Sequence, residues 1–210
     1  MTYRNESGEQ TPIPSRERFQ WESLHPNYLT WHAPDMIPLA KRYLDRRKVT
    51  REARMLLPIK ARWMGSGAAI GFECVPHYFY ERRITTPIER GRDWLPPGRK
   101  HYWFALRSES PCLVLVEGVF DALRVWEAGF SAVALHGQTV RWSELDSSKP
   151  LTILFDRDAI LQAELMALEG AALGYYCTSE SHKLRKKDPG ATSPAKLREL
   201  LRAGLQELST

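Results

Sequence analysis

Leu113-Val114-Leu115-Val116-Glu117-Gly118 and Leu151-Thr152-Ile153-Leu154-Phe155-Asp156-Arg157-Asp158 decide the fold. Each is a short apolar run that ends abruptly in carboxylates. A continuous apolar run of this length predicts a strand buried on both faces, as in a parallel sheet. Between the two, Val119 to Gly129 carries Leu123, Val125, Trp126 and Ala128 at helical spacing, with Gly129 as the stop. Strand, helix and strand in succession make a βαβ unit, whose right-handed crossover sets both carboxylate-bearing ends on one edge of the sheet. Ligands of open α/β sheets bind outside that edge. Glu117, Asp156 and Asp158 are therefore expected to converge there. Carboxylates gathered in one place repel one another unless a cation joins them, and hard divalent ions favour such oxygen donors.

The same residues carry a resemblance. Glu117-Gly118-Val119-Phe120-Asp121-Ala122-Leu123, followed by Phe155-Asp156-Arg157-Asp158, resembles the Toprim domain shared by topoisomerases and primases. That signature is a Glu after the first strand and an Asp-x-Asp after a later one. The Glu-Gly-x-x-Asp-Ala form is similar to that of bacterial and phage replicative primases. Upstream, Ala40-x-x-Tyr43-Leu44-x-x-Arg47-x-Val49 resembles the Tyr-Leu-x-x-Arg-Gly-hydrophobic string that opens the small basic lobe of those enzymes, with Lys48 in place of the glycine.

The resemblance implies an α/β fold: a Toprim (Rossmann-like) parallel sheet of about four strands flanked by helices, preceded by a small α+β basic lobe. The corresponding boundaries are an N-terminal arm over 1–33, the lobe over 34–110, the Toprim domain over 111–180, and a basic loop with a C-terminal helix over 181–210. It also implies metal-dependent nucleotidyl transfer. Asp156 and Asp158 would hold Mg²⁺ (or Mn²⁺), Glu117 would complete the metal site or pass a proton, and Asp121 would orient it. Asp188, in Lys187-Asp188-Pro189, falls where the family has its last acidic element and would help hold a second metal. Arg82, Arg83, Lys100, Lys186 and Lys187 would hold template or nucleotide phosphates, and Gly137 would let backbone approach them closely. Where the family follows Asp-x-Asp with a residue and then Ala-Gly, this chain has Ile160-Leu161, which narrows the approach to the metals. The implied partners are a single-stranded DNA template, nucleoside triphosphates and a helicase or other replication protein acting in trans. Two other activities use the same residues: a Toprim nuclease that hydrolyses phosphodiesters, and a non-catalytic nucleic-acid-binding replication adaptor.

Composition is compatible with these readings. The chain has 210 residues, 43% of them hydrophobic, which suffices for one larger domain or two small ones with a real core. A formal charge of +5 suits a nucleic-acid partner. Cys74, Cys112 and Cys177 stand far apart with no Cys-x-x-Cys pair, which argues against structural zinc and for reduced thiols in a cytoplasmic protein. No signal peptide and no apolar run of about 18 residues is present, so no membrane span is expected. No Gly-x-x-x-x-Gly-Lys-Ser/Thr string is present either, so no helicase motor is expected; a compact, motor-free core suits a phage or mobile element.

The remaining expectations follow the chain. Residues 1–15 read as a polar tail, and Phe19, Trp21, Tyr28 and Trp31 as an aromatic arm. A helix is predicted over Pro34 to Arg47 with Pro38 in its first turn, then a second capped by Thr50 and ended by Pro58. Ile59 to Arg83 reads as a small antiparallel sheet that turns at Pro76-His77, and Arg90 to Lys100 as a basic loop. Beyond the first βα unit come a strand at Ala132 to Leu135 and a short helix at Trp142 to Leu145. A helix follows over Ala159 to Ala172 with Leu161, Leu165, Leu168 and Leu173 on one face, then a fourth strand at Gly174 to Cys177. Ser193 caps a last helix with Pro194 at its first position and Leu197, Leu200, Leu201 and Leu205 on one face.

Overall fold

The structure is a computed structural model that describes residues 2–4, 10–12, 31–64, 67–85, 91–96, 99–146, 148–186 and 188–207. By its contacts the chain divides into Met1–His32 and Ala33–Thr210. In the first unit, β1 (Thr2–Arg4) pairs antiparallel with β2 (Gln10–Pro12), where the sequence reads as a plain tail. Most of the expected aromatic arm lies outside the described residues.

The second unit holds two sheets. The larger has five strands in the order β11 (Cys177–Ser179), β10 (Leu151–Ile153), β8 (Leu113–Val116), β9 (Ser131–Ala134) and β7 (Trp103–Ala105). Strands β8, β9, β10 and β11 run parallel. The edge strand β7, which the sequence reading missed, pairs antiparallel with β9. Strand β11 begins at Cys177, so the expected fourth strand at Gly174 is corrected: Gly174 adopts φ +87° and ends the preceding helix instead.

The continuous apolar run of β8 is explained by its two neighbours. Leu113 and Leu115 join Val133, Leu151 and Ile153 in a core closed by α4 (Ile160–Ala172). Val114 and Val116 point the other way, with Ala132 and Ala134, into a core shared with α3 (Val119–Glu127) and α5 (Pro194–Glu207). Alternation along each strand thus feeds two apolar layers. Helix α3 ends before Gly129, which takes φ +101° as the expected stop. In α5, Leu197 and Leu201 are buried, and Ser193 Oγ accepts from the Lys196 N–H at 3.4 Å.

Helix α4 packs in the opposite sense from the sequence expectation. Leu161, Leu165, Leu168 and Leu173 are exposed, and the face against the sheet is Ala163, Met166, Ala167 and Gly170. Small residues win that face because Trp142 lies against it: a Cβ on Gly170 would sit 2.5 Å from the Trp142 ring.

The second sheet is antiparallel, β3 (Ile59–Met64), β4 (Gly67–Val75), β5 (Tyr78–Thr85) and β6 (Gly91–Trp94) in order. Its turn at Pro76-His77 is as expected, with His77 at φ +67°. Strand β6 falls in the segment that reads as a loop, because it pairs along β5. Before this sheet come α1 (Pro38–Arg46), with Pro38 in its first turn, and α2 (Arg51–Leu56), whose Thr50 cap accepts from Ala53 N–H at 3.3 Å. Aromatic rings join the two sheets: Phe72 of β4 meets Trp103 of β7 at 5.3 Å and Phe120 of α3 at 5.6 Å, both edge-on. No helix among the described residues is long and apolar enough to cross a membrane.

Candidate functional site at the carboxyl edge of the parallel sheet

Strand order sets the site. Helix α3 leads from β8 to β9 on one side, and α4 leads from β10 to β11 on the other, so the winding reverses between β8 and β10. Crevices at such a reversal, outside the carboxyl ends of the strands, are where open α/β sheets take ligands. Glu117 follows β8 directly, and Asp156 stands just beyond β10 as the cap of a 3₁₀ turn, Arg157–Ala159. Glu117, Asp156 and Asp158 line one cleft of about 500 Å³, together with Gln138, Ala159, Leu161, Gln162 and Leu165.

Glu117 is held on both oxygens. The Asp156 N–H donates to Oε1 at 3.1 Å, and the Gln138 amide donates to Oε2 at 3.0 Å. Gln138 was absent from the sequence-based site. Its signal was position, since it lies just beyond β9 on the same edge as Gly137. Gly137 itself adopts φ +142°, is exposed, and its N–H reaches the Glu117 carbonyl at 3.3 Å.

Asp121 and Asp188 form a support behind the cleft. Asp121 Oδ1 accepts from the Gly190 N–H at 2.8 Å, and Oδ2 from the Gly118 N–H at 3.2 Å. Asp121 therefore ties the backbone after Glu117 to the turn after Asp188, its two oxygens taken by backbone N–H groups rather than by the Glu117 side chain it is expected to orient. Burial pushes its carboxyl up to about 7; Asp156 and Asp188 add to the rise, against the pull of the Gly190 and Gly118 donors. Asp188 Oδ1 accepts from the Ala191 N–H at 2.6 Å and so caps its own turn. Gly190, also unforeseen, is required by closeness: a Cβ there would lie 2.8 Å from Asp121 Oδ1.

Arg82, Arg83, Lys100 and Lys186 are not among the residues that line the cleft. Arg82 pairs with Asp93 at 2.6 Å, and its guanidinium lies 5.4 Å from the Phe120 ring. Arg83 lies 3.7 Å from buried Glu81. Lys100 and Lys186 are exposed, and Lys187 lies outside the described residues. A further guanidinium, Arg47, sits 4.6 Å over the Phe120 ring, so Phe120 is flanked by two cations. Lys48, where the resemblance in sequence expects glycine, takes φ +57°, and the Val49 N–H closes the turn on the Leu44 carbonyl at 2.9 Å. His136, at the end of β9, stacks on Tyr80 with ring centroids 4.5 Å apart and lies 3.6 Å from Cys74 Sγ. Burial, with a smaller push from Lys100, holds its pKa down at about 4, so it is neutral at pH 7.

Among the described residues, no three His, Cys, Asp or Glu side chains could enclose a metal ion by themselves. Mg²⁺ does not need such a cage: it keeps several waters and binds through one or two carboxylates plus substrate phosphates. A cleft lined by three carboxylates has donor chemistry that fits such an ion. Comparison of the chain with protein-family models, with curated proteins and with solved structures finds no match in any of the three.

Proposed function

We propose that the chain is a metal-dependent nucleotidyltransferase of the Toprim type, a compact primase-like core that builds short primers on single-stranded DNA from nucleoside triphosphates, with a helicase or other replication protein acting in trans. One observation carries the reading: at the reversal of the sheet Glu117, Asp156 and Asp158 line one cleft, where the Asp156 backbone N–H donates to the Glu117 carboxylate at 3.1 Å. In this reading Asp156 and Asp158 hold Mg²⁺ or Mn²⁺, with Asp188 near a second ion. The ion would neutralise phosphate charge and acidify the attacking hydroxyl. Glu117, fixed on both oxygens, stands ready to accept that hydroxyl's proton. Asp121 keeps the Gly118 and Gly190 backbone in place beneath it. Arg82, Arg83, Lys100, Lys186 and Lys187 attract the template, and Gly137, with no side chain, lets a phosphate approach the loop closely.

The test is to incubate the protein with Mg²⁺ or Mn²⁺, a labelled single-stranded template and nucleotides, with and without Asp156→Asn. New short products that vanish in the variant support primer synthesis. Degraded template would assign a nuclease instead. Template binding without turnover, unchanged by Glu117→Gln, would leave an adaptor.

A further inference from the structure

Leu161 and Leu165 form an apolar wall along the carboxylate cleft. They are 69% and 52% exposed, one turn apart on α4, and both line the cavity that Glu117, Asp156 and Asp158 line. Leucines this exposed gain little from the fold; the core takes Ala163 and Met166 from the same helix instead. The four-residue step spans about 6 Å of helix rise, comparable with the long dimension of a purine. The cleft is therefore two-ended. Asp156 and Asp158 precede α4 and the two leucines follow along it, so the carboxylates lie toward one end and the leucines toward the other, and Gln138 and Gln162 share the lining. Its volume of about 500 Å³ is in the range of small-ligand sites.

We infer that Leu161 and Leu165 hold the base of a nucleoside triphosphate whose phosphates face Asp156 and Asp158. The inference rests on the nucleotidyl-transfer reading and adds a residue assignment to it. The occupant must have an anionic end that a cation can bridge to carboxylates and a flat, weakly polar end that gains by leaving water. A leucine wall touches the face of a base and not its hydrogen-bonding edge, so it serves every base alike. Gln138 is committed to Glu117 at 3.0 Å and does not read the base edge. Base selection is then left to pairing with the template.

The test is calorimetric titration of the full chain, in Mn²⁺, with ATP, with GTP and with inorganic tripolyphosphate, which has the phosphates and no base. The wild-type protein should bind both nucleotides on the order of five- to tenfold more tightly than tripolyphosphate. Leu161→Ala/Leu165→Ala should bring all three ligands together by weakening the nucleotides alone. Both positions are exposed and alanine favours helix, so folding is not at risk. Leu165→Trp, which enlarges the wall, should widen the gap. Equal binding of all three by the wild type, or a gap that survives the double substitution, overturns the wall and leaves the carboxylate reading intact. Binding of none of them overturns both. A wild-type dimer in sedimentation that the double variant dissociates also overturns the wall, assigning it to a second copy of the chain.

Discussion

The Gly190 N–H donates to Asp121 Oδ1 at 2.8 Å and so joins the turn after Asp188 to the first turn of α3. A methyl group at Gly190 would meet that oxygen at 2.8 Å and Asp188 Oδ1 at 3.2 Å. Asp121 cannot swing away, because Gly118 holds its other oxygen. Gly190→Ala is expected to cost about 1–3 kcal/mol. Thermal unfolding should show a midpoint several degrees lower; an unchanged midpoint would mean the tie is dispensable.

Lys48 holds φ +57° without the freedom of glycine, a conformation that penalises a residue with a Cβ. Its side chain is exposed, and its carbonyl, which accepts from Arg124 at 3.2 Å, survives substitution. Lys48→Gly should stabilise the protein by about 0.5–1 kcal/mol even after the entropy of the freer unfolded chain is counted. Denaturant unfolding should show a higher midpoint with the same slope. A lower midpoint would show that the strain is relieved in some other way.

His136 makes a contribution of definite sign to the acid side of the stability curve, opposite to that of Asp121, whose raised carboxyl favours the folded state as pH falls below about 7. The folded pKa of His136, about 4, lies below its ordinary 6.5, so the neutral ring is favoured in the folded state. That contribution is present above pH 6.5 and is lost as pH falls from 6.5 towards 4, a change on the order of 3 kcal/mol. His136→Phe keeps a ring for stacking on Tyr80 and has no proton to gain. Its midpoint should therefore fall less than that of the wild type between pH 7 and 4. Parallel curves for the two proteins would remove His136 as the cause.

Gln138 touches Glu117 from an exposed loop, and nothing in the core depends on it. Gln138→Leu should leave the unfolding midpoint unchanged and lower kcat for primer synthesis about tenfold with KM little altered, as expected for a group that orients another. A changed KM with unchanged kcat would place Gln138 on the substrate instead.

The parallel sheet was legible because β8 is buried on both faces and must be apolar throughout, and because Gly129 ends α3 where the helical spacing stops. Glu117, Asp156 and Asp158 were legible as a set because strand ends and crossovers fix their edge of the sheet. Helix α4 misled for a physical reason. Its leucines recur at helical spacing, yet the sheet needs the thin face that Ala163, Ala167 and Gly170 provide beneath Trp142. Strand β7 is short and depends on pairing with β9, which no local pattern records. Gln138 and Gly190 act through single backbone or amide contacts, and residue type alone does not announce these.

The most direct measurement is Mn²⁺ binding by titration calorimetry to the wild-type protein and to Asp156→Asn/Asp158→Asn, with thermal unfolding of each as a control. Since partners one shell further out already change metal affinity by about 10–100-fold, the double variant should bind at least tenfold more weakly at an unchanged unfolding midpoint. Equal affinity in the two proteins, or no Mn²⁺ binding by the wild type, would contradict a cation site at the reversal between β8 and β10.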